Sequence, residues 1–314
     1  MNSRWIRKAI ISIGNRSIPC PPMDCEFTIV QQWNGGNHTE LKLYNPAPET
    51  IAACQSQNKG QVSQIVDPTT NRMTYVTASY PSITIQAGYE TDPLLTTVCI
   101  GNIWKWRVNK DGVDKILELT IDGAQAYKQQ VVKGLSLKGN VKVSQIISQV
   151  LSLAGASVGA AYIKLGNDRT YNGKNINCET LYNVMIELAQ FSDSFVFMDN
   201  GCIYIYPASQ QNANAKTLSP GNAFILDYTN GLLDVPEIKD FERYDAKGNT
   251  IPVLGYSIRT IFLPNLNLND VVQFPVKDYT GTKTNTILGI VRNAKKEFAT
   301  KDDAYSEYDI EAAA

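Results

Sequence analysis

The sequence predicts a mainly β protein of the α+β class, with two β-rich segments on either side of a smaller unit that contains two helices. Three patterns support this: alternating β-branched and aromatic residues towards both ends, a helical period in the middle, and an internal similarity between the two β-rich segments. A chain of 314 residues is about twice as long as a typical domain. We therefore expect three units, covering residues 1–128, 129–209 and 210–314.

The first unit consists mainly of predicted strands separated by turns. Segments with strand composition cover residues 5–13, 25–32, 39–44, 82–87, 97–108 and 115–122. Pro48 before residues 49–54 indicates one helical turn, because proline is favoured at the first position of a helix. Residues 55–79 are mostly polar and are expected to form a long surface loop.

The middle unit has a helical period instead. From residue 143 to residue 154, apolar residues recur at spacings of three and four, and Gly155 stands where a helix would end. A second helix is predicted over residues 181–189, with Asn177 as its N-cap. These two stripes predict two amphipathic helices that bury their apolar faces.

A hairpin and a linker complete the middle of the chain. Asn200 and Gly201 separate residues 194–198 from residues 202–206, and Asn-Gly tolerates the positive φ angles of a type I′ turn. Two helices and this hairpin predict a small α+β unit. Residues 210–216, rich in Gln, Asn and Ala, have the composition of a linker.

The last unit returns to strand composition and repeats a pattern of the first. Strands are predicted over residues 255–263, 271–276, 285–292 and 305–312. With an offset of 188 positions, residues 83–84 match 271–272, residues 98–103 match 286–291 and, after one extra residue, residues 117–121 match 306–310. The offset places Gly101 on Gly289, and a glycine repeated inside the same strand indicates a bulge or a close backbone approach. We interpret the segments as a duplication, the alternative being two unrelated β segments.

The composition argues against several kinds of chemistry. With 29 basic and 30 acidic residues, the chain lacks the positive excess of a duplex-binding domain. The one histidine, His38, lies in a stretch of hairpin-loop composition, so a catalytic triad is not expected. Of six cysteines, only Cys20 and Cys25 are close in sequence; they do not complete a zinc site, and reduced thiols are expected. No cofactor and no metal are predicted.

No membrane segment is predicted, and carboxylate chemistry stays open. The apolar residues 9–13 are fewer than a secretory signal needs, and residues 150–165 are too short and too interrupted to span a bilayer. A glycosidase needs two carboxylates that need not be adjacent in sequence. Asp302 and Asp303 are interpreted as part of a solvated turn.

The order of several loose motifs resembles the opening domain of phage tail hub proteins, which include the late control protein D family and the baseplate hubs of contractile tails. The motifs are Leu41-Lys42-Leu43-Tyr44-Asn45 with Pro48-Glu49-Thr50, then residues 83–89, 100–103 and 119–123. The middle helices, the hairpin and residues 255–265 continue the likeness in order and spacing, so it spans nearly the whole chain. Residues 55–79 depart from the family, which usually has a shorter connection there.

This resemblance implies two tube-like β-barrel domains flanking the small α+β domain, the first in residues 1–128 and the second in residues 210–314. In the tail hubs that this chain resembles, three chains form a trimer whose six similar barrels meet a sixfold tail tube. The resemblance therefore implies a non-enzymatic homotrimer that joins the tail tube or distal tube protein to the central spike protein and contacts other baseplate proteins. DNA would pass transiently through its lumen. It would reside in the virion tail baseplate after assembly in the host cytoplasm.

Five aromatic residues are candidates for an assembly interface. Trp104 and Trp106 alternate with basic residues and are predicted to share one face of a strand. Core packing is the alternative, because large aromatic residues are mostly buried. Tyr305 and Tyr308 are open to the same two interpretations, and Tyr89 is the fifth candidate.

Two other functions remain open from the sequence. One is a carboxylate-dependent peptidoglycan hydrolase, and the other is a monomeric β-sandwich binding module. A mass of three chains would favour the hub, and an inert monomer would favour the binding module. Loss of cell-wall hydrolysis on replacing single acids would favour the enzyme.

Overall fold

The computed structural model describes residues 6–32, 37–55, 63–66, 73–76, 81–124, 127–128, 130–132, 134–154, 161–177, 179–199, 201–207, 223–244, 250–277 and 284–312. Within these residues the chain is mainly β with three helices, which confirms the predicted fold class. The predicted linker at 210–216, Gly155 and Asn200 lie outside the described residues.

The first third of the chain contains nine strands and one helix within its described residues. They are β1 (Arg7–Ile13), β2 (Arg16–Cys20), β3 (Cys25–Gln32), β4 (His38–Tyr44), α1 (Pro48–Gln55), β5 (Ser63–Val66), β6 (Met73–Val76), β7 (Ser82–Tyr89), β8 (Thr96–Asp111) and β9 (Asp114–Asp122). All six predicted strands are present. The prediction of a loop over residues 55–79 was wrong in part, because β5 and β6 are strands that pair antiparallel there.

The middle third contains two helices and seven strands within its described residues. They are β10 (Val131–Val132), β11 (Leu135–Lys142), α2 (Val143–Ala154), β12 (Ala161–Ile163), β13 (Thr170–Ile176), β14 (Glu179–Thr180), α3 (Leu181–Phe191), β15 (Ser194–Asp199) and β16 (Cys202–Pro207). Both predicted helices and the predicted hairpin are confirmed. The N-cap of α3 is Thr180 rather than Asn177, because the Thr180 hydroxyl accepts a hydrogen bond from the backbone N–H of Asn183 at 3.3 Å.

The last third contains six strands within its described residues. They are β17 (Phe224–Ile225), β18 (Glu237–Tyr244), β19 (Thr250–Ile261), β20 (Val271–Lys277), β21 (Thr284–Ala299) and β22 (Tyr305–Ala312). The four predicted strands correspond to β19, β20, β21 and β22. The sequence prediction missed β18, whose alternating charged residues are typical of an exposed strand.

One large sheet of 13 strands connects the two ends of the chain. Its order is β18-β19-β22-β21-β3-β4-β9-β8-β7-β1-β2, and β20 pairs with β21 while β17 pairs with β20. All these pairs are antiparallel except β17 with β20. Strands near the two termini are therefore neighbours in one sheet.

The buried apolar side chains form three clusters. One lies among the strands of the first third and includes Phe262 and Phe298 from the last third. A second lies between α2, α3 and the β15–β16 hairpin. A third belongs to the last third of the chain. The first cluster thus contains side chains from both β-rich segments, so the two segments pack against each other.

Cys20 and Cys25 are buried and form no disulfide bond. The neighbouring Cys20 thiol, together with burial, raises the pKa of Cys25.

None of the helices in the described part of the chain has the length and apolar character needed to cross a bilayer.

Candidate assembly interface

Two groups of strands share one arrangement. The first repeat consists of β3, β4, β7, β8 and β9, and the second repeat consists of β18, β19, β20, β21 and β22. In each repeat, an outer hairpin (β3–β4 or β18–β19) pairs through its second strand with the last strand (β9 or β22). The last strand in turn pairs with a long strand of 16 residues (β8 or β21). The N-terminal half of that long strand pairs with the strand before it. The two β-rich segments therefore have the same topology, as the internal similarity predicts.

Each repeat has an irregularity at the same place in its long strand. The β8–β9 register shifts between Ile103 and Lys105, which makes Trp104 the extra residue. The β21–β22 register shifts between Val291 and Asn293, which makes Arg292 the extra residue. Trp104 and Arg292 are 188 positions apart, which is the offset of the sequence similarity. Because a bulge marks one defined residue, this coincidence fixes the alignment of the two repeats.

The repeated glycine has the same surroundings in both repeats. A Cβ atom on Gly101 would lie 2.8 Å from Cγ2 of Ile121 and 3.0 Å from the carbonyl oxygen of the following residue. A Cβ atom on Gly289 would meet Cγ2 of Ile310 and lie 2.7 Å from the carbonyl oxygen of the residue after it. Only glycine allows the neighbouring strand to approach this closely.

The predicted alignment of the strand before the glycine was one residue out. Ile83 lies opposite Gly101 and Val272 lies opposite Gly289, whereas the sequence similarity placed Ile83 on Val271. A shift of one residue in a strand turns every side chain to the other face. The corrected match places two buried residues, Ile83 and Val272, on the core face of each repeat.

The outer hairpins match as well. Corresponding cross-strand rows are Ile29–Thr39–Ile121 in the first repeat and Ile238–Tyr256–Ile310 in the second. Because Ile121 and Ile310 flank the equivalent glycines, Ile29 of β3 is equivalent to Ile238 of β18. The environments differ sharply, since Ile29 is 2% exposed and Ile238 is 73% exposed.

The two repeats are joined edge to edge by what we call the junction, the antiparallel pairing of β3 residues 26–32 with β21 residues 293–299. The rings of Phe27 and Phe298 stack there, with centroids 4.6 Å apart and planes at 5°. Phe262 packs edge-on against both rings. Such aromatic pairs stabilise beyond their buried area, so the junction is a packed core rather than a loose contact.

A buried cation also lies in the junction. Lys296 is opposite Ile29 and is fully buried. Its ammonium group donates hydrogen bonds to the carbonyl oxygen of Pro264 at 3.1 Å and to Oδ1 of Asn267 at 3.0 Å. Burying an ammonium group is costly unless such partners replace its water. Lys296 therefore links the segment that follows β19, through Pro264 and Asn267, to the junction by hydrogen bonds.

The two bulge residues have different surroundings. Arg292 is buried, and its Nε donates to Oε2 of Glu311 at 2.7 Å, with both side chains less than a tenth exposed. Trp104, at the same position of the first repeat, is 41% exposed. The bulge is thus covered in the second repeat and open in the first.

The two candidate tryptophans do not share one environment. Trp106 packs against the core cluster of the first repeat, while Trp104 is exposed. The bulge at Trp104 interrupts the strict alternation that predicted a common face.

The three candidate tyrosines also differ in burial. Tyr89 is half-buried and donates to the carbonyl oxygen of Phe262 at 3.0 Å, and burial raises the pKa of Tyr89 to about 12. Tyr308 is fully buried and donates to the carbonyl oxygen of the residue after Phe262, so it belongs to the core of the second repeat. Tyr305 is half-buried, with the guanidinium carbon of Arg259 3.8 Å from its ring centroid.

A polar groove near the start of β3 brings carboxylates together. Its lining includes Asp24, Glu26, Asp114 and Asp302. Lys301 donates to Asp24, and the hydroxyl of Tyr44 donates to Glu26 at 2.7 Å, while burial raises the pKa of Tyr44 to about 12. The first contact links two turns that are distant in sequence, and the second links the neighbouring strands β3 and β4. Across the described ranges, no cluster of three His, Cys, Asp or Glu side chains could hold a metal ion.

The fold is that of a group of solved tail proteins. A tail protein from Neisseria meningitidis MC58 has 10% identity and a TM-score of 0.57, covering 98% of this chain and 97% of that one. The 43 kDa tail protein of prophage MuSo2 from Shewanella oneidensis has 12% identity and a TM-score of 0.59, covering 97% and 98%. No protein-family model and no curated protein sequence matches the chain.

A third solved structure comes from a secretion system. The E. coli c3393 protein, a type VI secretion component described as structurally similar to the T4 tail proteins gp27 and gp5, has 8% identity and a TM-score of 0.51. The alignment covers 97% of this chain and 77% of that protein. At such low identity the likeness concerns the fold, and it extends over both repeats and the middle unit.

Proposed function

We propose that the chain is a structural component of a phage tail baseplate, a homotrimeric hub that joins the hexameric tail tube to the threefold central spike. Its ring would form part of the DNA channel. The observation that carries the proposal is the shared register of the two repeats, including the matching bulge and glycine. Three chains with two repeats each present six similar units, and equivalent contacts are what a closed ring requires.

The comparisons support the proposal through the fold. Similarity over nearly all of this chain and of two tail proteins supports a tail component. We propose that it is located in the virion after assembly in the host cytoplasm. The proposed partners are the tail tube or distal tube protein, the spike protein and other baseplate proteins. Among the candidate interface residues, the exposed Trp104 is the one whose surroundings fit a contact with another chain best.

The experiment is a measurement of mass and of partner binding. Multi-angle light scattering of the purified chain alone should give three times 34.7 kDa, and mixing with a hexameric tube protein should give a larger complex. The trimer should bind one tube ring and one spike trimer. A monomer in every mixture would contradict the hub and favour a binding module, and hydrolysis of purified peptidoglycan would favour the enzyme.

A further inference from the structure

Two strand edges in the large sheet have no partner strand among the described residues. Residues 105–111 of β8 pair with β9 on one side only, because the pairing of β7 with β8 ends at Asn102. β18 ends the sheet and pairs only with β19. Open edges of this kind present backbone N–H and C=O groups to another chain.

The alignment of the repeats shows what these two edges match. Residues 105–111 of β8 are equivalent to residues 293–299 of β21, and β18 is equivalent to β3. Those equivalents are the two sides of the junction. The open edges are therefore second versions of two surfaces that already pair inside this chain. Within one chain, β18 and β8 are separated in the sheet by six other strands.

We propose that β18 of one chain pairs antiparallel with residues 105–109 of β8 in a second copy, in the register of the junction. In that register Val108 lies opposite Ile238, as Lys296 lies opposite Ile29 within the chain. The two surfaces are different, so the contact is head-to-tail, and it forms a closed ring when successive copies are related by the threefold rotation of the proposed trimer. The inference rests on the proposed hub ring and names the strands that hold it together.

The facing side chains are suited to this contact. Ile238 is 73% exposed and Val108 is 37% exposed, whereas their equivalents in the junction are 2% and 0% exposed. Pairing would remove two apolar side chains from water by placing them against each other. Next to them, the indole of Trp106 would lie opposite Asp240, which brings an N–H donor to a carboxylate acceptor.

The other face of the pairing places two cations side by side. Arg107 would lie opposite Lys239. Arg107 already contacts Glu118 on its own sheet, and Lys239 contacts Asp309 at 2.7 Å. Each cation therefore already has a carboxylate partner within its own chain. The four side chains, two cations and two carboxylates, have no net charge together.

Engineered cysteines in the full-length chain test the register. The variant V108C/I238C, oxidised at concentrations where the wild type is trimeric, should give a reducible covalent trimer with a mass of three times 34.7 kDa. The spacing of a directly opposite cross-strand pair suits a disulfide. The matched control R107C/I238C places one cysteine on the opposite face and should stay at the background of the wild type, which has six native cysteines.

The possible outcomes separate this inference from the proposed function. A covalent trimer that forms from V108C/I238C and not from R107C/I238C supports both the strand pairing and the hub ring. A trimer by light scattering in which V108C/I238C does not cross-link, or cross-links no better than R107C/I238C, overturns the strand pairing and leaves the hub ring standing. A monomer under all conditions overturns both.

A charge substitution gives an independent measurement. Ile238→Asp should abolish the trimer and leave a folded monomer with an unchanged circular dichroism spectrum, because the side chain is exposed in the single chain. The control Leu94→Asp alters a residue that is 83% exposed and lies beyond the other end of β8, so it should stay trimeric. A trimer formed equally well by both variants would overturn the inference.

Discussion

Replacing the two equivalent glycines is expected to damage the two repeats in the same way. Gly101→Ala places a methyl group 2.8 Å from Cγ2 of Ile121 and 3.0 Å from a backbone oxygen of β9. The isoleucine can rotate, but the backbone oxygen belongs to a paired strand and cannot withdraw without breaking hydrogen bonds. Overpacking of this kind costs about 1–3 kcal/mol. Gly289→Ala should lie at the upper end, because its backbone oxygen is nearer, at 2.7 Å.

Thermal unfolding followed by circular dichroism measures this cost. For a unit of 150–250 residues, each kcal/mol lowers the melting temperature by about 2–4 °C. The control is Gly112→Ala, at a turn with φ of +59° and no atom within 4 Å of the added Cβ, where only backbone strain acts. Adding Ile121→Ala should relieve part of the cost of Gly101→Ala and none of the cost of Gly112→Ala. Unchanged or raised stability in both Gly101→Ala and Gly289→Ala would refute the shared close approach.

Three further predictions concern the junction and its surroundings. Lys296→Met should destabilise the chain by about 2 kcal/mol in urea titrations, because it leaves the carbonyl oxygen of Pro264 and Oδ1 of Asn267 without their buried donor. Lys110→Met, at an exposed position, should have almost no effect. Phe27→Ala and Phe298→Ala should each cost about 3–5 kcal/mol, with a coupling of about 0.5–1.5 kcal/mol in the double variant, and strict additivity would contradict the stacked pair. Burial raises the pKa of Tyr89 from its usual 10 to about 12. The neutral phenol is therefore favoured on folding, and stability should fall as the pH rises from 10 to 12; Tyr89→Phe should fall less, as measured by urea unfolding across that range.

The sequence predicts those parts of the fold that depend on local patterns. The helical stripe from residue 143 to residue 154 and the alternation in β9 are strong, because each element buries one face. The repeated glycine indicates the duplication, because in both repeats a side chain at this position would collide with the neighbouring strand. The N-cap of α3 was misplaced because Asn177 and Thr180 are both good caps, and only the start of the helix decides between them.

The junction could not be predicted from local patterns. β3 pairs with β21 across most of the length of the chain, and nothing in either segment specifies its partner. β18 was missed because Glu237–Tyr244 is rich in charged residues, and none of the side chains described in residues 237–242 is fully buried within one chain. The one-residue error at Ile83 arose because Val271 and Val272 are chemically identical, and only the pairing partner tells them apart.

The central claim is that one chain contains the same folded unit twice, so that a threefold ring presents six similar units. End-on averages of the purified assembly by electron cryomicroscopy measure this directly. The predicted result is a ring with threefold symmetry in which six similar densities alternate around a central opening. A ring with one density per chain, or particles of single chains only, would contradict it.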